Sequence, residues 1–286
     1  MPERKFTVKP SLTTRGLSPE NQETPLEYLQ TDAMNNYQFF RRNHFDYPSL
    51  NQANYRLLFG GLIKRPLSLS LQDLSRFPAK TLKVALECAG NKRGHFEPKT
   101  YGEQWGKGAI SQGYWRGVPL AHILDLTGFS SHAAEVVVKG YDHGVRKGSE
   151  KNETYARSLP LEKALHLDTI IAFEYNGQPL SYKHGYPLRL IVPGWYAMAS
   201  VKWVRQISVI GTSFKGAFQT NDYMYYPSQE TDEGAFPVTE LNVNSTIQTP
   251  LDMEVLDGSR HCIRGIAWTG KGMITRVEIS LDNGES

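Results

Sequence analysis

The apolar segments of this chain are short, and glycine or proline closes nearly every one. "YRLLFGGLI" (55–63), "LKVALE" (82–87) before Cys-Ala-Gly, "TIIAFEYNG" (169–177) and "LRLIVPG" (188–194) each read as one strand that runs into a turn. With 25 glycines and 16 prolines in 286 residues, many short elements are expected. Two further strands read from "AEVVVKGYD" (134–142) and "VKWVRQISVI" (201–210). Helical spacing is confined to brief stretches: 70–77 behind an N-capping Ser70, 117–128 with Pro119 in its first turn and Gly128 at its end, and 158–166. Strands and helices alternate without a strict βαβ rhythm, so the expected class is α+β.

Residues 1–35 are polar and read as an extended segment that wraps the surface. A boundary is expected in the polar stretch 227–237, which divides a domain 1–230 from a tail 237–286. The tail alternates in "MEVLDGSRHCIRGIAW", with an Asp-Gly turn, and in "ITRVEISLDNG", the pattern of a β-sandwich. It holds about half of the ~100 residues that an Ig-like sandwich uses, so a partial sandwich is expected.

Charge excludes some functions. A net charge of +3, with no basic run or nucleic-acid motif, argues against nucleic acid. No apolar stretch reaches the roughly 20 residues that span a bilayer. The N-terminus has no apolar core of a signal peptide, and Arg41-Arg42 lie too deep for an export signal. Cys88 and Cys262 form no disulfide framework. A cytoplasmic, reducing location is the expectation.

Within "VALECAGNKRG" (84–94), Cys88 ends a strand and opens a turn. A free cysteine there can be a small buried hydrophobe. It can also be a thiolate: Gly90 and Asn91 permit positive φ and amides aimed at the sulfur, and Lys92 and Arg93 would lower its pKa. Zinc spacing is absent. "FRRNH" (40–44) is a solvated loop or an anion clamp. His184, in "KHGYPLRLIVPG" (183–194), is a turn histidine or a ligand contact. Basic segments so far apart suggest one large polyanionic ligand.

"FRRNH", "ECAGNKR", "WGKGAIS" with "YWRGVPL", "NGQPL", "KHGYPLRLIVPG" and "SVKW" follow one another in the order of the molybdenum-cofactor domain of the sulfite oxidase family, which includes the eukaryotic nitrate reductases. Residues 37–226 resemble that domain, and the tail resembles the start of the family's Ig-like dimerisation domain. The resemblance implies molybdenum held by a molybdopterin dithiolene, with Cys88 as its protein ligand. Phe40, Arg41, Arg42, Asn43 and His44 match the first pterin-contacting segment. Asp142, His184 and Arg189 match further pterin contacts, as do Ser200, Val201 and Lys202. Arg42 and Arg93 match arginines of the substrate-anion pocket, Tyr223 a tyrosine beside the metal, and Trp105 a tryptophan near the pocket.

Two positions depart from the family pattern. Lys92 stands where a second arginine is frequent, and Ala197–Ala199 replace a "GAR", which removes a cation. No CxxCH haem motif occurs, so no haem is expected in this chain and the electrons must pass to an external acceptor. The implied activity is oxygen-atom transfer to a small oxyanion, sulfite to sulfate foremost, in a homodimer joined through the tail. Nitrate reduction, a non-catalytic binding module of the same fold and a cysteine hydrolase are the alternatives.

Overall fold

The computed structural model describes residues 12–29, 32–228, 230–258, 260–282 and 284–285. Part of the segment expected to be irregular is an antiparallel hairpin, β1 (Thr13–Leu17) and β2 (Glu20–Glu23); residues 1–11 of that expectation lie outside the described chain. Next come β3 (Leu57–Gly61), β4 (Leu67–Leu69) and the single turn α1 (Leu71–Leu74). Ser70 caps α1 reciprocally with Asp73, each side chain bonding the other's backbone N–H.

Four further strands and two helices follow: β5 (Lys80–Glu87), β6 (Ile110–Pro119), α2 (Leu120–Thr127), β7 (Glu135–Val145), β8 (Asn152–Pro160) and α3 (Leu161–Leu165). Both helices start three residues later than the sequence pattern suggests. Gly117 and Val118 pair with Ala172 and Ile171, and Ser158 and Leu159 pair with Val137 and Val136. Ladder partners therefore claim residues that local spacing assigns to helix.

The chain continues through β9 (Ile170–Tyr175), β10 (Gln178–Pro179), β11 (Arg189–Ile191), β12 (Val204–Ile210) and the short α4 (Ala217–Thr220). The expected Asn-Gly turn joins β9 to β10, with Asn176 and Gly177 at φ 50° and 73°. The last elements are β13 (Met224–Tyr225), β14 (Phe236–Pro237), β15 (Asn244–Thr249) and β16 (Arg264–Trp268).

Two five-stranded sheets carry the fold, ordered β10-β9-β6-β5 with β11 also on β9, and β4-β3-β12-β7-β8. Only β3 and β12 pair in parallel among these ladders. The mixed architecture is α+β as expected. One core packs Leu57, Val138, Leu159, Leu190 and Val204 around the second sheet, and another packs Phe39, Leu86, Trp105 and Trp115 on the first.

The tail differs from its pattern. β15 pairs antiparallel with β16, and the Asp257-Gly258 stretch lies in the loop between them instead of in a tight hairpin. The described part of "ITRVEISLDNG" forms no strand. Its Val277 and Ile279 are 64% and 56% exposed, so alternation there has no buried face to act on. Among the described residues no helix is long and apolar enough to cross a membrane.

Candidate cofactor and active site

Phe39 seats the first site segment. Its ring meets Trp115, Tyr175 and His184 edge-on with centroids 5.8, 5.5 and 5.1 Å away. The Phe40 N–H donates to Ser111 Oγ at 3.1 Å. Arg41 is then tied to β2 by reciprocal backbone bonds with Gln22. These contacts hold Arg41 to His44 along the lining of a cavity.

Cys88 also lines the cavity, where β5 leaves its sheet. Its N–H donates to Ala109 O at 2.9 Å, and its carbonyl accepts from Asn91 N at 2.8 Å. The thiol is 6% exposed. Burial raises its pKa, while Arg42, the Gly90 N–H and Arg93 pull the other way. An amide is thus aimed at the sulfur, but the left-handed residue of the turn is Lys92, at φ 68°, and neither Gly90 nor Asn91. Gly90 serves differently. A Cβ there would lie 2.5 Å from Arg93 Nη1, so its hydrogen lets the guanidinium fold back over the loop. Lys92 points away from the thiol, to Asn244 and Ser245 of β15.

Further cations come from β11 and the segment 197–203. Arg189 is 5% exposed; its Nε donates to Ser200 O at 3.2 Å, its Nη1 to His184 O at 3.3 Å, and its guanidinium lies 5.2 Å from the Trp115 ring centroid. Burial lowers its pKa to about 9. Lys202 donates to Arg42 O at 3.1 Å and to Asn43 Oδ1. Burial first, then Arg189, hold its pKa well below that of an ordinary lysine. Ser200 Oγ accepts the Val192 N–H at 3.1 Å. Val201 packs into the hydrophobic core and touches the site only through its chain neighbours.

Histidines and tyrosines complete the lining. Tyr223 and His44 meet at 2.8 Å between Oη and Nε2, and His44 stacks on Tyr155 at 4.9 Å. Burial, reinforced by Arg42 and Lys202, depresses the His44 pKa far below 6.5. Burial and the adjacent Arg189 do the same to His184, whose Nδ1 contacts Ser181 Oγ at 2.7 Å. Burial raises Tyr223 and pushes Asp142 up to about 6. Asp142 Oδ1 is buried without a hydrogen-bond partner.

Of the residues that the family resemblance implies for the site, all but Val201, Arg93 and Trp105 line this cavity. Arg93 is half-buried on the Cys88 loop, near enough to act electrostatically on Cys88 and Tyr223. Trp105 is fully buried in the core behind that loop. Sequence reasoning missed Lys183 and Tyr155, which also line the cavity, and Arg157, whose guanidinium sits 5.6 Å from the Tyr223 ring centroid.

The charges do not balance. Arg41 and Lys183 share Glu20, but Arg42, Arg189 and Lys202 form no ion pair among the described residues. Arg189 is buried and Arg42 and Lys202 are half-buried, and cations so withdrawn from water call for an anionic ligand. Among the described residues no three His, Cys, Asp or Glu side chains gather to hold a metal. A metal here would need most of its ligands from a cofactor, with Cys88 adding one sulfur. Residues and group therefore fit.

The comparisons decide the family. The model of the oxidoreductase molybdopterin binding domain matches residues 44–218, and that of the Mo-co oxidoreductase dimerisation domain matches 235–286. The chain belongs to the sulfite oxidase family of molybdopterin oxidoreductases. Human mitochondrial sulfite oxidase is 35% identical over 289 residues, which is 96% of this chain and 52% of that protein. NADH nitrate reductase of Cichorium intybus is 33% identical over 95% of this chain and 32% of its own length. The chain thus spans about half the length of the sulfite oxidases it matches. The sulfane dehydrogenase SoxCD of Paracoccus pantotrophus superposes with a TM-score of 0.81 and 31% identity, over 96% of this chain and 68% of the other. A molybdenum–pterin is the cofactor that this family domain implies.

Proposed function

We propose that the chain oxidises a small oxyanion, sulfite foremost, by oxygen-atom transfer, and hands the electrons to an external acceptor. One observation carries this reading: Arg42, Arg189 and Lys202 surround a cavity that ends on Cys88, and none has a carboxylate within ion-pair distance among the described residues. Lys202, Arg189, His184 and Ser200 would hold the anionic and polar edge of the cofactor, with Arg41, Asn43 and the Phe40 backbone along its other side. Asp142, with its buried unpaired oxygen, suits an N–H donor of a pterin. Cys88 would ligate the metal. When bound, the cofactor supplies two-electron redox change and oxygen exchange.

The chain's residues do the rest. Arg42 lies near Tyr223 and Cys88, and its guanidinium stays charged, as arginine does in proteins. Together with Arg93 it offers guanidinium N–H groups to the substrate oxyanion. His44 stays neutral because burial and neighbouring cations disfavour its charged form, and Tyr223 keeps its phenolic proton because burial raises its pKa. Their contact fixes that hydroxyl at the cavity wall. Phe39, Phe40 and Met198 exclude water from the remaining surface.

Near-equal identity to a nitrate reductase supports a second reading, reductive oxygen-atom transfer. Steady-state turnover decides between them: sulfite with an artificial acceptor, against nitrate with a reduced donor. Turnover of neither by molybdenum-loaded protein overturns both substrates. The dimerisation-domain match supports a homodimer, and two free thiols, one buried and one exposed, support a reducing, cytoplasmic location. We place the domain boundary between residues 230 and 237.

A further inference from the structure

Glu87 directly precedes Cys88 and is 1% exposed. A carboxylate there must be fully paired, and it is. Oε1 accepts from Asn91 Nδ2 at 2.9 Å and from Asn244 Nδ2 at 3.3 Å, and Oε2 accepts from Trp268 Nε1 at 2.7 Å. One donor belongs to the Cys88 loop; two come from the tail ladder, β15 and β16.

Lys92 closes the same joint from the loop side. Its Nζ donates to Asn244 Oδ1 at 2.6 Å and to Ser245 O at 2.5 Å, and lies 5.6 Å from the Trp268 ring centroid. The Asn244 amide is therefore used at both ends, its oxygen by Lys92 and its nitrogen by Glu87. Asn91, the loop's own donor, also accepts the Ala109 N–H on Oδ1 at 3.1 Å. Ala109 O in turn accepts from Cys88 N. Tail, carboxylate, turn and the backbone of Cys88 thus form one continuous hydrogen-bonded frame. The tail grips other site-bearing segments too: Val238 N donates to Tyr223 O, and Leu241 N to Gly194 O, each at 2.9 Å.

The geometry points to Asn244 and Trp268 as positioning residues that act through Glu87 and Lys92, so that seating the C-terminal ladder fixes the loop that presents the Cys88 sulfur. This rests on the reading of Cys88 as the metal's protein ligand. Without the tail, Glu87 keeps one of its three donors and Lys92 loses both acceptors. The turn then rests on Asn91 and on its own backbone bonds, Asn91 N to Cys88 O and Arg93 N to Gly90 O.

The test uses the full chain and has two readouts. In cofactor-free protein, the rate at which iodoacetamide alkylates Cys88 is followed by peptide mass spectrometry, with exposed Cys262 as internal standard. Trp268→Phe keeps an aromatic ring but removes the pyrrole part of the indole with its N–H; Asn244→Ala removes both amide contacts. Each is expected to raise Cys88 labelling about tenfold or more, the effect of losing a buried hydrogen bond to a charged group. Gln248→Ala is the control. Gln248 fastens the same ladder to Leu26 O and Leu29 O at 2.9 and 2.7 Å, away from the loop, and its loss should leave labelling unchanged.

In molybdenum-loaded protein the visible absorption should shift for Trp268→Phe and stay put for Gln248→Ala. Labelling of both joint variants within a factor of about two of wild type overturns the inference, as does an equal rise in Gln248→Ala. If Trp268→Phe does not fold, Asn244→Ala decides by the same threshold. The reading of Cys88 fails separately, if Cys88→Ser protein retains its full molybdenum.

Discussion

Two charged regions meet at Cys88 and resolve their burial in opposite ways. On the cavity side Arg42, Arg189 and Lys202 stand among aromatic rings with carbonyl and amide oxygens as acceptors but no ion-pair partner among the described residues. On the tail side Glu87 is more deeply buried, yet receives donors on both oxygens. Charges left unbalanced mark a place where a ligand completes the chemistry. A charge satisfied within the chain marks a joint.

The contrast breaks most readily at the residue the two regions share. Cys88→Ser should lower molybdenum content and turnover by more than the about 100-fold typical of outer-shell ligand changes, checked by metal analysis and steady-state kinetics. On the joint side, Glu87→Leu leaves three donors stranded and should cost about 3 kcal/mol of folding stability, read by urea denaturation of the cofactor-free protein. On the cavity side, Lys202→Met should behave in the opposite manner. Relief from burying the charge offsets the two lost hydrogen bonds, so cofactor-free stability should stay within about 1 kcal/mol while cofactor retention falls about tenfold. A large loss of stability in Lys202→Met, or none in Glu87→Leu, would erase the distinction.

The smallest effect is a pH dependence. His44 and His184 have folded pKa values depressed below the unfolded 6.5, so on acidification the unfolded chain takes up protons first. Cofactor-free stability should fall by about 1 kcal/mol from pH 7 to 6, and the slope should flatten in His184→Gln. Asp142, raised from 3.8 to about 6, acts in the opposite sense, adding stability as pH falls through that window. The histidine effect is therefore clearest above pH 6.

The cationic motifs were legible one by one, because Arg, Lys and His beside Gly turns carry their chemistry in their own identity. "FRRNH", "KHGYPLRL" and "SVKW" do converge on one cavity. Val201 was not legible as a core residue, since the flanking Ser200 and Lys202 do the polar work around it. Tyr155 was missed because β8 is buried across Tyr155–Leu159, which removes the alternation that would have marked a strand. Glu87 gave no signal because two of its three partners stand 157 and 181 residues downstream. A lone acid before a cysteine means little until the topology returns the tail to it.

The distance between Glu87 and Trp268 also sets an order in time. At ribosomal rates of about 5–20 residues per second, the 181 residues between them take roughly ten to forty seconds to emerge. Throughout that interval the thiol loop exists without its fastening. Closure of the joint thus comes well after the loop itself is made, and a cofactor delivered before it meets a loop still free to yield.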